Sequence, residues 1–161
     1  MPKDSGSGSA SAEASTTPSE EMYLMTVAVA EEEGRPSPLP LADLAQALAI
    51  SPVSANQMVR RLGERGLVEY HPYHGVSLTA AGRQAAWRVL RGRRLWAAFL
   101  VRHLGFAPEE ADALACGLEH VTPPEAADRL GQFLGDPAVG PLGQSIPPSS
   151  HAAASRGRAR P

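Results

Sequence analysis

The chain has 161 residues, of which 43% are hydrophobic and 5% aromatic, and its formal net charge is -2. A chain of this length can bury one core, or a small domain with a helical module beside it. So few aromatic residues argue against a β-sandwich or a β-barrel, and a single cysteine excludes a disulfide framework within the chain. The N-terminus lacks the apolar segment of a signal peptide, and no apolar run approaches the roughly 20 residues of a membrane span. These features predict a cytoplasmic protein with no membrane partner.

Opposite charges are concentrated in two successive parts of the chain. Residues 38–106 contain nine arginines and three carboxylates, whereas residues 107–136 contain seven carboxylates and one arginine. This division predicts one half that binds a polyanion and another that binds cations or a partner. Two solvated faces without a binding role would give the same charge distribution.

Residues 1–17 are mostly Ser, Ala, Gly and Thr with no apolar pattern, which predicts disorder. Thr17-Pro18-Ser19-Glu20 then matches a capping box with proline at the first helical position. We expect a helix from there to about Glu33, ended by Gly34. The stretch from Gly34 to Pro40 contains three prolines and is predicted to be a loop.

Two short helices with a tight connection come next, which is the pattern of a helix-turn-helix. The first runs from Leu41 to Leu48, and the second begins at the predicted N-cap Ser51 and continues to about Arg65. Residues 67–70 and 76–79 are predicted to be strands, separated by a turn over residues 71–75. A hairpin behind a helix-turn-helix predicts a winged helix, which we place at residues 18–82.

The rest of the chain is predicted to be helical. Thr79 caps a long helix from Ala80 to Leu104, and Pro108 opens a helix through about His120. A second capping box, Thr122-Pro-Pro-Glu125, begins a last helix to about Leu134. Residues 83–136 would form a helical domain, followed over 137–161 by a Pro/Gly-rich end and a basic tail. The predicted fold is mainly α, with the long helix joining a winged helix-turn-helix to this domain.

The second helix of a helix-turn-helix places its N-terminal residues over base edges in the major groove. Short hydroxyls and amides at that end suit base edges, and the arginines that follow suit phosphates. A solvated polar face on a scaffold helix is the alternative. The predicted DNA-binding residues are Ser51, Val53, Ser54, Asn56, Gln57, Arg60 and Arg61.

Cys116, Glu119 and His120 stand at positions i, i+3 and i+4, and on a helix they share one face. Thiolate, carboxylate and imidazole are the side chains that bind divalent transition metals. The alternative is a buried cysteine beside a surface Glu-His pair. A Cys-His nucleophile is disfavoured because no third orienting residue and no oxyanion motif accompany the pair, so we expect no enzyme.

Several segments in this order resemble the iron- and manganese-dependent repressors of the DtxR/MntR family. The resemblance spans about residues 18–147. The segments that carry it are Glu21-Met-Tyr-Leu24, Asp43-Leu-Ala-Gln-Ala-Leu48, Ser51 to Leu62, Gly66-Leu-Val-Glu-Tyr70, Leu78-Thr-Ala-Ala-Gly82, Glu119-His-Val121 and Gly143 to Pro147.

The resemblance implies a homodimeric repressor that is activated by a divalent metal and binds a palindromic operator on double-stranded DNA. In iron-type members the main metal site consists of a methionine of the first helix and the Cys-Glu-His triad. Those positions are Met22, Cys116, Glu119 and His120 here. Because thioether and thiolate are soft ligands, Fe(II) is favoured over Mn(II). A metal-independent winged-helix regulator with a degenerate sensor site is the alternative.

This chain departs from the family pattern at the second, ancillary metal site. The resemblance places that site at Arg93, Ala97 and Asp112, of which arginine stays protonated and alanine has no donor atom. We therefore expect no ancillary metal, and we expect the Arg93 guanidinium to occupy its place and pair with Asp112 or another carboxylate. The residues after Pro147 are also too few for the SH3-like domain of longer members.

Overall fold

The computed structural model describes residues 15–149. Six helices and one two-stranded sheet follow in the order α1 (Pro18–Glu32), α2 (Leu41–Ala47), α3 (Pro52–Glu64), β1 (Val68–His71), β2 (Gly75–Leu78), α4 (Ala80–Leu104), α5 (Pro108–Glu119) and α6 (Pro124–Phe133). The prediction of a mainly helical fold is confirmed. Of the segment predicted to be disordered, 1–17, residues 1–14 lie outside the described residues, as does the tail from residue 150, whereas residues 15–17 hydrogen-bond to α1 and α3.

Three of the predicted helix starts are formed by the side chains expected to cap them. Thr17 and Glu20 form the capping box of α1, with Glu20 N donating to Thr17 Oγ1 at 3.3 Å and Thr17 N donating to Glu20 Oε2 at 2.8 Å. Ser51 accepts from Ser54 N at 3.1 Å, and Thr79 accepts from Gly82 N at 3.1 Å. These bonds satisfy amides that a helix leaves without partners at its first turn.

The capping box predicted at Thr122 and Glu125 is wrong. Pro123 is the N-cap of α6 and offers no side-chain bond. The Thr122 hydroxyl is already used elsewhere, because it donates to Leu118 O at 2.6 Å and accepts from Trp96 Nε1 at 2.8 Å. It therefore closes the end of α5 against α4 and does not cap α6.

The wing is an antiparallel hairpin whose two strands are each displaced by one residue from their predicted bounds, with Val68 opposite Leu78. The predicted loop also contributes, since Leu39 forms a bridge with Val76 through bonds of 2.8 and 2.9 Å. Gly75 permits this approach, because a Cβ there would lie 2.1 Å from Leu39 O.

One apolar core holds α1, α2, α3, the wing and the first half of α4 together. It includes the fully buried side chains of Leu24, Leu44, Val59, Leu62 and Val76. The second half of α4 packs against α5 and α6 through two smaller apolar clusters. The cluster with α5 contains Ala97, Ala111 and Ala115, and the cluster with α6 contains Leu95, Ala127 and Ile146. Within residues 15–149, no helix is both long and apolar enough to cross a bilayer.

Candidate metal centre and nucleic-acid interface

The three side chains predicted as metal ligands at the end of α5 lie together. Cys116 Sγ donates to Glu119 Oε1 at 3.6 Å, and His120 Nε2 lies 3.2 Å from the same oxygen. α5 ends at Glu119 with His120 as its C-cap, so helical geometry extends to the last member of the triad. Glu119 is the centre of the cluster.

The Glu119 carboxylate is fully buried, and its Oε2 has no hydrogen-bond partner among the described residues. Arg93 Nη1 lies 3.8 Å from this oxygen. Burial raises the pKa of Glu119, and the charges of Arg93 and His120 oppose that effect. A buried carboxylate oxygen without a donor is costly, and a bound cation would relieve the cost.

The Cys116 thiol is half-buried. Burial and the neighbouring Glu119 charge raise its pKa above the usual 9.0, while the Arg93 charge opposes them. The thiol is consequently protonated at neutral pH. Because a metal binds the thiolate, binding at this cysteine would release a proton.

The α1 side chain that contacts the triad is that of Glu21, which the sequence analysis did not select. Glu21 Oε2 lies 2.7 Å from His120 Nδ1, and Glu21 Oε1 accepts from Thr16 Oγ1 at 2.9 Å. Met22, the residue that the resemblance places in the metal site, is half-buried one position further along. No sequence signal distinguished the two, because which α1 residue faces His120 depends on how α1 packs against the end of α5.

The donor types fit a transition metal, but the cluster is not a finished site. Among residues 15–149, no three His, Cys, Asp or Glu side chains are arranged as a group that could hold an ion. The Cys116 thiol faces Glu119, and one nitrogen of His120 is engaged by Glu21. The donor types therefore fit a divalent ion, although their arrangement in this structure does not form a group that could hold one.

At the position that the resemblance assigns to the ancillary site, Arg93 forms a bidentate pair with Asp112. Its Nε donates to Oδ1 at 3.0 Å and its Nη2 donates to Oδ2 at 2.7 Å. The hydrogen bonds and charge of Asp112 raise the pKa of Arg93 further, although burial acts against them. Ala97 is buried in the apolar cluster between α4 and α5.

The side chains predicted to read DNA lie along the outer face of α3. Val53 is 67% exposed, and Asn56 is half-buried beside Arg60, whose Nε lies 3.4 Å from Asn56 Oδ1. Together they form a polar, cationic face without apolar cover, as a groove-binding helix requires. The other exposed members are Ser51, Ser54, Gln57 and Arg61.

Arg61, although its side chain is 62% exposed, also approaches α1 in a contact that the sequence analysis missed. Its Nε lies 3.4 Å from Oε1 of the fully buried Glu20, whose Oε2 accepts from Arg65 Nη1 at 2.5 Å. Burial opposes ionisation of Glu20, but bonds from Arg65 and Thr17 outweigh it and lower its pKa. The capping box alone accounted for a glutamate at position 20, so nothing in the sequence pointed to its ion pairs with α3.

Two family models match consecutive parts of the chain. The model described as the iron dependent repressor N-terminal DNA binding domain matches residues 15–76. The model described as the iron dependent repressor metal binding and dimerisation domain matches residues 79–148. The boundary between the two models falls at the start of α4, where the wing ends.

Individual relatives agree with both models. The chain is 36% identical over 92 residues to an uncharacterised helix-turn-helix transcriptional regulator of Methanocaldococcus jannaschii, covering 57% of this chain and 74% of that protein. It is 38% identical over 106 residues to the iron-dependent repressor IdeR of Mycobacterium tuberculosis, covering 66% of this chain and 46% of IdeR, about half its length. A solved manganese-dependent transcriptional repressor in complex with manganese superposes with a TM-score of 0.74 at 33% identity, covering 81% of this chain and 59% of that one. The chain belongs to the DtxR/MntR family of iron- and manganese-dependent repressors.

Proposed function

We propose that this protein is a transcriptional repressor that binds DNA as a homodimer when each chain holds one divalent transition metal ion. The observation that carries the proposal is the Cys116-Glu119-His120 cluster, which lies where α1 of the DNA-binding domain meets α5 of the metal-binding domain. In a metal-independent regulator, nothing would offset the cost of burying Glu119 Oε2 without a hydrogen-bond donor.

We propose Met22, Cys116, Glu119 and His120 as the ligands. A bound ion would supply the positive charge that the buried Glu119 lacks and would join α1 to α5. Glu21 is proposed to orient His120, because a carboxylate that accepts from one imidazole nitrogen directs the other towards a metal. The spacing supports this role, since Nδ1 faces Glu21 and Nε2 faces Glu119.

The thiolate and thioether in this ligand set support Fe(II) over Mn(II), because soft sulfur ligands disfavour manganese. The Arg93-Asp112 pair supports one ion per chain. The guanidinium is proposed to hold α4 to α5 at the ancillary position with a permanent charge.

The exposed face of α3 is proposed to read bases through its N-terminal half and to contact phosphates through Arg60 and Arg61. A twofold dimer would present two such helices to the half-sites of a palindrome. Exposed apolar side chains in the domain matched for dimerisation support this assembly. They include Leu104, Phe106 and Leu114, which are 58%, 37% and 48% exposed.

The test is an anaerobic titration of reduced, metal-free protein with Fe(II), Co(II) and Mn(II). DNA binding is followed in parallel on duplexes that the metal-loaded protein selects from a random pool. We expect one ion per chain, a thiolate-to-cobalt absorption band, tighter binding of Fe(II) than Mn(II), and DNA binding that rises with occupancy. His120→Gln should lose metal and metal-dependent DNA binding, whereas His103→Gln, which removes an exposed imidazole on α4, should keep both.

DNA affinity that is the same with and without metal would contradict the proposal and select the metal-independent regulator. Two ions per chain would contradict the role given to Arg93. Equal affinities for Fe(II) and Mn(II) would contradict the sulfur ligand set.

A further inference from the structure

The first turn of α1 contacts both functional parts of the molecule through two consecutive carboxylates. Successive residues of a helix point about 100° apart. Glu20 faces Arg61 and Arg65 at the C-terminal end of α3, and Glu21 faces His120 at the end of α5. The proposed DNA-reading helix and the proposed metal centre are therefore connected through a single helical turn.

The connection to α3 is fixed by more than one bond. Glu20 Oε2 accepts from the Thr17 amide at 2.8 Å and from Arg65 Nη1 at 2.5 Å. Arg65 Nη2 also donates to Ser15 O at 3.1 Å, so one guanidinium holds both the first turn of α1 and the backbone two residues before its cap Thr17. Arg65 is itself the C-cap of α3, so its position follows the end of that helix.

Burial makes this arrangement sensitive to displacement. The Glu20 side chain is fully buried, and its Oε1 has no hydrogen bond, with Arg61 Nε at 3.4 Å as a nearby charge. A buried carboxylate that loses its cationic partners is strongly disfavoured. Any shift of the first turn of α1 must therefore carry the end of α3 with it or break the ion pairs.

We infer that Glu20 is a positioning residue that transmits metal occupancy from the α1–α5 junction to α3. This inference rests on the proposed function. Changes at His120 and Glu21 on metal binding move the first turn of α1, and Glu20 passes that movement to α3 through Arg61 and Arg65. Two ligands that favour the same arrangement strengthen each other's binding by one shared factor.

The test measures that shared factor as the ratio of Co(II) dissociation constants without and with a duplex selected from a random pool by the metal-loaded wild type. We expect roughly a 5- to 150-fold ratio for the wild-type chain, the range typical of coupled sites. Glu20→Gln should bring the ratio close to one while Co(II) stoichiometry and affinity without DNA stay unchanged. Glutamine can still complete the capping box, so the substitution removes the charge and keeps the helix start.

Glu31→Gln is the matched control, because it breaks the ion pair of α1 with Arg83 of α4 and leaves the Glu20 contacts in place. Its ratio should equal that of the wild type. A wild-type ratio in Glu20→Gln would overturn the inference alone, whereas a ratio of one in the wild type would overturn the proposed function. Thermal melts check that each variant folds. If Glu20→Gln does not fold, the same ratio is measured in Arg65→Gln, where a value close to one supports the inference and the wild-type value overturns it.

Discussion

Burial and nearby charges act in opposite directions on Glu119 and Cys116. Burial raises the pKa of both groups, and the Arg93 guanidinium lowers both. The Glu119 charge also raises the cost of ionising the thiol, whose Sγ lies 3.6 Å from Glu119 Oε1, whereas the hydrogen bond that the thiol donates lowers the pKa of Glu119. In the metal-free protein the pair therefore holds its protons more tightly than either group would in water.

The reactivity of the Cys116 thiol should report this balance. We expect the alkylation rate of metal-free protein to rise with a midpoint above pH 9.0, the ordinary value for the group. Glu119→Gln removes a negative neighbour and should speed alkylation at fixed pH, by about tenfold for each unit by which the thiol pKa falls. The rate is measured with iodoacetamide and mass spectrometry.

Arg93→Gln should act in the opposite direction and slow the same reaction, because it removes the charge that favours the thiolate. Equal rates for the two variants would contradict this electrostatic account. Both substitutions replace a charged side chain at the same interface with glutamine. Opposite effects on the alkylation rate would therefore come from the change in charge and not from a change in burial.

How far the site follows from sequence differs between its two sides. Cys116, Glu119 and His120 lie on one helix, so their spacing alone predicts that they meet, and they do. Glu20 and Glu21 reach α3 and α5 across gaps of 45 and 99 residues. Those contacts depend on the rotation of α1 about its own axis in the packed core, which a local pattern does not encode.

Helix starts were predictable wherever the hydroxyl oxygen still accepts from the first turn, as that of Thr79 does while its proton is donated to Gly66 O. Thr17, Ser51 and Thr79 cap as expected, and Gly34, Gly66 and Gly105 follow their helices with positive φ values. The prediction that Thr122 caps α6 is wrong because its hydroxyl lies between Leu118 O and the indole of Trp96. Short-range spacing cannot reveal a bond partner that arrives from α4.

Thr122→Val should therefore affect the α4–α5 junction and not the start of α6. Trp96 Nε1 would lose its acceptor, at a cost of about 1 kcal/mol. In a Trp87→Phe background Trp96 is the one remaining tryptophan, and its emission maximum should shift. Thr122→Ser keeps the hydroxyl and should restore the wild-type spectrum, while an unchanged spectrum in Thr122→Val would argue against the bond.

The contact between α4 and the segment entering the wing depends on Gly82. A Cβ at this position would lie 1.8 Å from Leu67 O, which is backbone and cannot turn aside. Gly82→Ala should force the two segments apart and lower the free energy of unfolding by about 1–3 kcal/mol or more. Denaturant unfolding measures the change.

Gly117→Ala is the counterpart within α5, where a Cβ meets nothing within 4 Å. There the better helix former should raise stability by up to about 1 kcal/mol. If both Gly→Ala substitutions changed the free energy of unfolding in the same direction, the close approach at Gly82 would be refuted.

Across the whole molecule, folding neutralises part of the positive charge that the sequence concentrates in residues 38–106. Four arginines of α4 pair with carboxylates of α1, α5 and α6. The ion pairs are Arg83 with Glu31, Arg91 with Asp128, Arg93 with Asp112, and Arg94 with Glu32. Counting charges along the chain predicted a basic half. Because partners distant in sequence share these ion pairs, the counts overstated how much positive charge the folded chain leaves unneutralised.

The salt dependence of DNA binding should reflect the arginines on α3 and not those of α4 that are paired within the fold. Arg60→Gln should reduce the slope of log K against log salt by about 0.9, the contribution of one phosphate contact. Arg94→Gln should leave the slope unchanged and lower stability, because its side chain is 5% exposed and bound to Glu32. Both slopes come from fluorescence anisotropy over a salt series, and a slope altered by Arg94→Gln would contradict the internal pairing.

The bridge between Leu39 and Val76 also has a consequence for how copies of the protein associate. A two-stranded hairpin has two open edges, and exposed edges recruit strands from other chains. Leu39 covers the β2 edge, while β1 is only four residues long and carries the exposed Glu69. Short and charged edges discourage strand pairing between molecules. Both edges of the wing are thereby protected against sheet-mediated aggregation between copies of the protein.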